Sequence, residues 1–197
     1  MTSNAKIYGL VLSGGKSTRM GQDKGLIAYH GIPQREYLYH LLHSVCDKAF
    51  LSVRSDQLNE ISNDFNTIRD KDEFKGPYNG LLSAHGQFSE IAWLVLACDL
   101  PLMDKMALEE LIAARDTSKM ATAFADKTNP LPEPLCAIWE PHALEISMAY
   151  LRAGNGTCPR KFLINNDVKL VFPEHTDVLL NANSEVEYKE ALLRLTS

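Results

Sequence analysis

An uninterrupted apolar run, Ile7-Tyr8-Gly9-Leu10-Val11-Leu12, opens without a spacer onto Ser13-Gly14-Gly15. A run this short, apolar at successive positions and closed by glycine, fits a strand buried on both faces, as strands of parallel sheets are. Residues 91–97 (Ile-Ala-Trp-Leu-Val-Leu-Ala) repeat the pattern and give the strongest buried-strand signal in the chain. Further short strands are expected at 50–53, 66–68, 120–124, 135–139 and 168–172.

Helical segments fall between them. A helix is expected over 33–47, with Pro33 in the first turn, where its missing N–H is not needed. Residues 78–88 and 141–151 read as helices too. Over 104–115, Asp104 is the expected N-cap, and Met106, Leu108, Leu111 and Ile112 recur at helical spacing. The last helix, over 184–195, starts at a Ser-x-x-Glu capping box formed by Ser184 and Glu187. Prolines at 130, 132 and 134 mark a bend, and Gly154 and Gly156 a turn. Strands alternating with helices predict an α/β fold, a mostly parallel sheet flanked by helices on both faces. No repeat or linker interrupts the pattern, so residues 1–197 are expected to form a single domain. Ligands of such sheets bind beyond the carboxyl ends of the strands, which makes the loops after strands the place to look for chemistry.

Bulk properties narrow the classes. With 20 Lys+Arg against 25 Asp+Glu, the net charge of -5 argues against a nucleic-acid-coating protein. Cys46, Cys98, Cys136 and Cys158 are scattered with no C-x-x-C pair, the pattern of reduced cytosolic thiols. No secretory signal opens the chain, and no apolar stretch approaches the roughly 20 residues of a transmembrane helix. A soluble cytoplasmic protein is expected, without membrane or nucleic-acid partners. His40 and His43 share a helix face, but no further His or Cys falls at metal-ligand spacing, so no zinc site is expected. Trp93 and Trp139 lie in expected strands and read as core.

The loop after the first strand carries the densest signal. Within Leu12-Ser13-Gly14-Gly15-Lys16-Ser17-Thr18-Arg19-Met20-Gly21-Gln22-Asp23-Lys24, glycines let backbone N–H groups approach an anion closely. Lys16, Arg19 and Lys24 add cations, and Ser17 and Thr18 hydroxyls. The set suits a triphosphate, although a solvated basic turn would have the same composition. It is not a P-loop, because Leu10 stands where the first glycine of G-x-x-x-x-G-K-[ST] belongs. It is not a dinucleotide fingerprint either, since Gly14 and Gly15 are adjacent.

Asp99, in Cys98-Asp99-Leu100-Pro101, ends the strongest strand. A carboxylate there suits Mg²⁺, which takes one or two carboxylates plus substrate phosphates; a helix cap or turn would explain it as well. Asp70 ends the 66–68 strand ahead of Gly76-Pro77, where an aspartate is more often structural.

Together these segments resemble a known family. Residues 12–24 resemble the L-x-G-G-x-S-x-R-M-G-x-x-K signature of nucleotidyltransferases, most closely the molybdenum cofactor guanylyltransferase (molybdopterin-guanine dinucleotide synthase, MobA-like) group. Gly76-Pro77 with Gly80-Leu81, Cys98-Asp99-Leu100-Pro101, residues 132–137 (Pro-Glu-Pro-Leu-Cys-Ala) and Asn181-Ala182-Asn183-Ser184 come next, in the family's order. The resemblance covers nearly the whole chain.

It implies a Rossmann-like nucleotide-diphospho-sugar transferase fold and transfer of GMP from GTP to molybdopterin, with Mg²⁺ as cofactor and pyrophosphate released. It places Leu12, Ser13, Gly14, Gly15, Lys16, Lys24, Asp70 and Asp99 on the nucleotide. Lys24 would bind phosphate, Asp70 the nucleoside portion, and Arg19 and Lys16 would steady the triphosphate. Asp99 would hold the metal, with Arg19, Lys24 and Asp99 as the catalytic group. Asn181 and Asn183 would lie on the acceptor or metal side. Cofactor-synthesis and molybdoenzyme-maturation proteins are the implied partners.

The chain departs from the family's asparagine-rich V-N-A-N-R segment, where Ser52 and Arg54 stand instead; Ser52 is a weaker nucleotide candidate on that account. Residues 156–162, with Arg160 and Lys161, read equally as an acceptor-side loop or a solvated helix start. A related cytidylyltransferase or sugar-phosphate enzyme, and a nucleotide-binding module without turnover, remain alternative readings.

Overall fold

The computed structural model describes residues 6–14 and 23–196. Among them, strands β1 (Ile7–Leu12), β2 (Lys48–Val53), β3 (Thr67–Arg69), β4 (Ala92–Ala97), β5 (Ala121–Phe124), β6 (Cys136–Trp139) and β7 (Val168–Val171) form one sheet. Its spatial order is β3-β2-β1-β4-β6-β5-β7. The helices are α1 (Gln34–Val45), α2 (Pro77–Gln87), α3 (Lys105–Ala113), α4 (Pro141–Arg152), α5 (Pro159–Ile164) and α6 (Glu185–Leu195).

β1 lies between β2 and β4 and runs parallel to both, with Leu10 opposite Phe50 on one side and Val95 on the other. From β1 the chain first builds outward through β2 and β3, then crosses back to β4 on the other flank. Strand order therefore reverses at β1, leaving a crevice beyond the carboxyl ends of β1 and β4. β6 is antiparallel to both β4 and β5, the one reversed strand among the described residues.

Neighbouring residues along β1 and β4 feed opposite cores. Val11, Leu94 and Leu96 face the layer containing Leu38 and Leu42 of α1 and Leu108 and Leu111 of α3. Leu10, Trp93 and Val95 face Tyr78 and Leu81 of α2, Leu144 of α4 and Phe162 of α5. Burial on both sides is why these strands read as continuous apolar runs. Trp93 and Trp139 are fully buried core residues.

Helix ends obey local chemistry. The Asp104 carboxylate accepts from Ala107 N at 2.8 Å, and Ser184 and Glu187 form the reciprocal capping box at the start of α6. Pro33 is the N-cap of α1, one position ahead of the helix proper.

Two expectations change. Met106 is 65% exposed: it stands two residues before Leu108, about 200° round the helix, and so on the opposite face. Residues 159–164 form α5, started by Pro159 and burying Phe162 and Leu163. Of the two readings of residues 156–162, the helix start holds, but it is anchored in the core by Phe162 and Leu163 rather than solvated throughout.

No helix among the described residues is long and apolar enough to cross a membrane. The four cysteines are free thiols.

α1 sits close on β1 because Gly9 has no side chain. A Cβ at Gly9 would lie 2.6 Å from Leu42 Cβ, inside any tolerable contact distance. Gly9→Ala should therefore lose about 1–3 kcal/mol of unfolding free energy, as overpacked cores do. Urea denaturation monitored by tryptophan fluorescence checks this, and an unchanged midpoint would show that α1 can move aside.

Candidate active site

The crevice at the ends of β1 and β4 holds a cavity of about 800 Å³. One wall is built from the first loop. Ser13 is fixed twice to β2, its N–H and its hydroxyl donating to Ser52 O at 3.1 and 2.7 Å. Gly14 comes next, where a Cβ would stand 2.5 Å from Asp70 Oδ2. Any side chain there would drive Asp70 away. Opposite, α2 approaches so closely that a Cβ on Gly80 would lie 2.2 Å from Ser52 Oγ and 2.8 Å from Leu12 Cδ2. Gly76, at φ 65°, makes the turn that delivers Pro77 to the first position of α2.

Asp70 ends the third strand inside this wall and is buried. Ser52 Oγ donates to its Oδ1 at 2.6 Å. Burial pushes the Asp70 carboxyl above the ordinary range, while the Ser52 hydrogen bond and the Arg54 charge oppose the rise. Ser52 therefore belongs to the site as the partner that orients Asp70, and both line the cavity.

The other wall carries the charges. Lys24 Nζ stands 3.9 Å from Asp99 Oδ2, and it donates to Asn183 Oδ1. Burial raises the Asp99 carboxyl, with Lys24 as the main opposing influence. The segment carrying Asp99 is held by its own backbone. Ala182 N donates to Asp99 O at 2.9 Å, Gln34 Nε2 to Leu100 O at 3.1 Å, and the Tyr37 hydroxyl to Met103 O at 3.2 Å. Asn183 is fixed in turn by its N–H to Glu187 Oε2 at 2.8 Å. That carboxylate is the one that closes the α6 capping box.

The structure thus gathers Leu12, Ser13, Gly14, Lys24, Asp70, Asp99 and Asn183 around one cavity. Gly15, Lys16 and Arg19 lie outside the described residues. Asn181 does not line the cavity and gives its amide N–H to Leu179 O at 3.1 Å. Arg160, on α5, pairs with Glu133 Oε2 at 2.5 Å and lies away from the cavity lining. Among the described residues, no three His, Cys, Asp or Glu side chains gather as a metal cluster.

Three contributors have no role legible in the sequence: Gln57 carries no signal, and Arg54 and Asp23 stand only within motifs. Arg54 Nη1 donates to Gly14 O at 2.7 Å. Gln57 reaches Ser13 O, and Asp23 accepts from both Gln57 and Gly25. They sit in polar stretches that look solvated, and only the folded chain shows where they turn.

A mostly parallel sheet whose strand order reverses at β1, a glycine-bearing loop there, and a lysine and carboxylate at the crevice are the features of the nucleotidyltransferase class. The chain matches the MobA-like NTP transferase domain over residues 9–168, and it belongs to that family. It is 37% identical over 187 residues to the molybdenum cofactor biosynthesis bifunctional protein of Synechocystis, covering 94% of this chain but only 54% of that protein. The chain therefore spans about half the length of that relative. Against the molybdenum cofactor guanylyltransferase of Shewanella sp. strain W3-18-1 it is 23% identical, over 98% of this chain and 99% of that one.

Among solved structures, molybdopterin-guanine dinucleotide biosynthesis protein A of Archaeoglobus fulgidus superposes with a TM-score of 0.79 at 20% identity, covering 96% and 98% of the two chains. The 4-diphosphocytidyl-2C-methyl-D-erythritol synthase of Anaerococcus prevotii gives 0.70 at 13% identity, over 98% and 99%. At such identities the shared property is the fold.

The burial of Asp99 has a measurable consequence. A carboxyl raised on folding opposes stability wherever it is ionised, and the penalty vanishes below its unfolded value of about 3.9. Asp99→Asn should therefore melt higher than the wild type at pH 7, with the gain disappearing as the pH falls below about 4. Thermal melts of the free protein across that range check it; an equal or lower melting temperature at pH 7 would mean that Lys24 outweighs burial.

Proposed function

We propose that this protein transfers GMP from GTP to the terminal phosphate of molybdopterin, forming molybdopterin guanine dinucleotide and releasing pyrophosphate. The observation that carries the reading is the meeting of Lys24, Asp99 and Asn183 across the crevice from Leu12–Gly14 and Asp70, in a family of NTP transferases. The names of the Synechocystis and Shewanella relatives support the guanylyl donor and the molybdopterin acceptor.

An acceptor phosphate oxygen forms the new bond to the α-phosphorus, and the bond to the β-phosphate bridging oxygen breaks. The acceptor is already anionic, so no general base is needed. The work left to the chain is positioning and charge stabilisation. The Leu12–Gly14 segment and the carboxylate of Asp70 hold the nucleoside end. Lys24, with Lys16 and Arg19 from the first loop, offsets charge gathering on the leaving pyrophosphate.

Asp99 would hold Mg²⁺, which when bound supplies positive charge to phosphate oxygens. The donor set fits. The Asp99 carboxylate lines the cavity, is raised by burial and is only partly offset by Lys24, which leaves a demand for further positive charge. The remaining ligands of such an ion come from substrate phosphates and water. Asn183 is placed beside this group; Asn181 would act further out, on the acceptor side. Residues 1–197 act as one transferase domain in the cytoplasm, alongside cofactor-synthesis and molybdoenzyme-maturation proteins.

Pyrophosphate release with Mg²⁺, molybdopterin and each of GTP, CTP, ATP and UTP tests the reading. GTP is expected to be preferred. A preference for CTP would keep the chemistry and change the product, with Ser52 and Arg54 as the first positions to examine. No release with any nucleotide would revive the sugar-phosphate acceptor and binding-module readings.

Asp99→Ala is expected to lower turnover by at least about a hundredfold, the scale on which charge stabilisation operates. A wild-type rate would remove Asp99 from the site. Lys24→Ala should weaken GTP binding by roughly tenfold or more, as loss of a charged hydrogen bond does. Isothermal calorimetry checks this, and unchanged affinity would exclude contact with phosphate.

A further inference from the structure

The first loop leaves the sheet at Ser13-Gly14 and ends at Asp23-Lys24, where a 3₁₀ turn begins, so the nucleoside and phosphate ends of the site lie on its two stems. One buried side chain joins them. Gln57, on the short 3₁₀ segment after β2, is 2% exposed. Its Nε2 donates to Ser13 O at 3.2 Å and to Asp23 Oδ2 at 2.8 Å. Its Oε1 accepts from Arg54 N at 3.0 Å. Both amide hydrogens and the carbonyl oxygen are thus used, and a flipped amide would set oxygen against a carboxylate and a carbonyl.

The chain of contacts continues to Lys24. The second Asp23 oxygen, Oδ1, accepts from Gly25 N at 2.9 Å. This caps the 3₁₀ turn Lys24–Leu26 that begins at Lys24. From that turn Lys24 reaches Asn183 and Asp99. Gly25 lies where a Cβ would meet Asp23 Oδ1 at 3.3 Å and the stem of Arg35 at 3.4 Å, so the turn has little room to shift.

We propose that Gln57 is a positioning residue for nucleotide binding: its amide sets Lys24, through Asp23, at a fixed distance from Ser13 and Gly14. Arg54 reinforces the same clamp by holding Gly14 O. The proposal rests on the reading of Lys24 as a phosphate-binding residue.

The test is a double-mutant cycle on GTP binding, read by calorimetry on wild type, Gln57→Leu, Lys24→Ala and the double variant. Gln57→Leu keeps the side-chain volume and removes the bonds. It should weaken GTP binding roughly tenfold in the wild-type background, the scale of a hydrogen bond to a charged group. It should have little further effect once Lys24 is gone, because coupled residues are non-additive. Gln57→Glu, which sets a carboxylate against Asp23, should weaken binding more than Gln57→Leu.

Hydrogen exchange gives a readout without nucleotide. The Gly25 amide should exchange faster in Gln57→Leu while amides in β1 and β4 stay protected. Independent losses in the two backgrounds, unchanged GTP affinity in Gln57→Leu, or unchanged Gly25 exchange would each overturn the proposal. Asp23→Asn, which opposes two amide donors, repeats the test should Gln57→Leu fold poorly. Failure of the wild type to bind any of the four nucleoside triphosphates would overturn the transferase reading and this proposal with it; normal GTP binding with no coupling would overturn this proposal alone.

Discussion

Parallel pairing on both edges of β1 decides where everything else in this molecule goes. A strand bonded to parallel neighbours on each side has no free edge, so each crossover must leave and return over a face of the sheet. The connection to β2 carries α1 over one face, while α2, leading into β4, covers the other. The carboxyl ends of β1 and β4 are left side by side, with a crevice beyond them. The cavity occupies that gap, and the first loop and Asp99 reach it because each leaves the sheet there, one from β1 and the other from β4.

The gap is lined with charge that the fold does not fully compensate. Asp70 and Asp99 both have carboxyls raised by burial, each opposed by only part of a neighbour's charge. Residues whose role was solely to stabilise would be paired more completely or replaced by apolar groups. Burial of ionisable groups in a cleft marks instead a candidate functional site. Around them the backbone is tied down, with the carbonyls of Asp99, Leu100 and Met103 all accepting hydrogen bonds. Rigid support beneath uncompensated charge is what preorganisation requires.

Much of this was legible in the residues themselves. β1 and β4 announce themselves because burial on two faces leaves no polar position in the run, and Asp104, Ser184 and Glu187 mark helix starts through the short-range chemistry of capping. Asp99 and Lys24 stand out by position, one ending the strongest strand and one closing the glycine loop. What sequence does not carry is contact between distant polar side chains. Ser52 looks like a lost asparagine until it is found bonded to Asp70, eighteen residues away. Gln57 sits in a polar hexapeptide with nothing to separate it from its solvated neighbours. Asn181 and Asn183 share one motif, yet only Asn183 turns to Lys24, because capping of α6 by Glu187 fixes its backbone. The reversed strand β6 is likewise invisible locally, since strand direction leaves no trace in a four-residue apolar run.

That reversal has an architectural consequence. β5 runs in the same direction as β4, and β6 returns beside it, so residues 125–135 turn at the crevice end of the sheet without any helix to cross. Leu135, at the end of that turn, is part of the cavity wall. The exposed tip of the turn, residues 127–131, can lengthen, shorten or change composition without altering the register of a single strand, while residues 133–135 stay bonded to Phe124, Trp139 and Ala97. The β5–β6 connection therefore offers one exposed stretch near the cavity wall that can be remodelled while the strands around it stay in register. Divergence in what such a scaffold accepts opposite its nucleotide has a route that leaves the nucleotide end untouched.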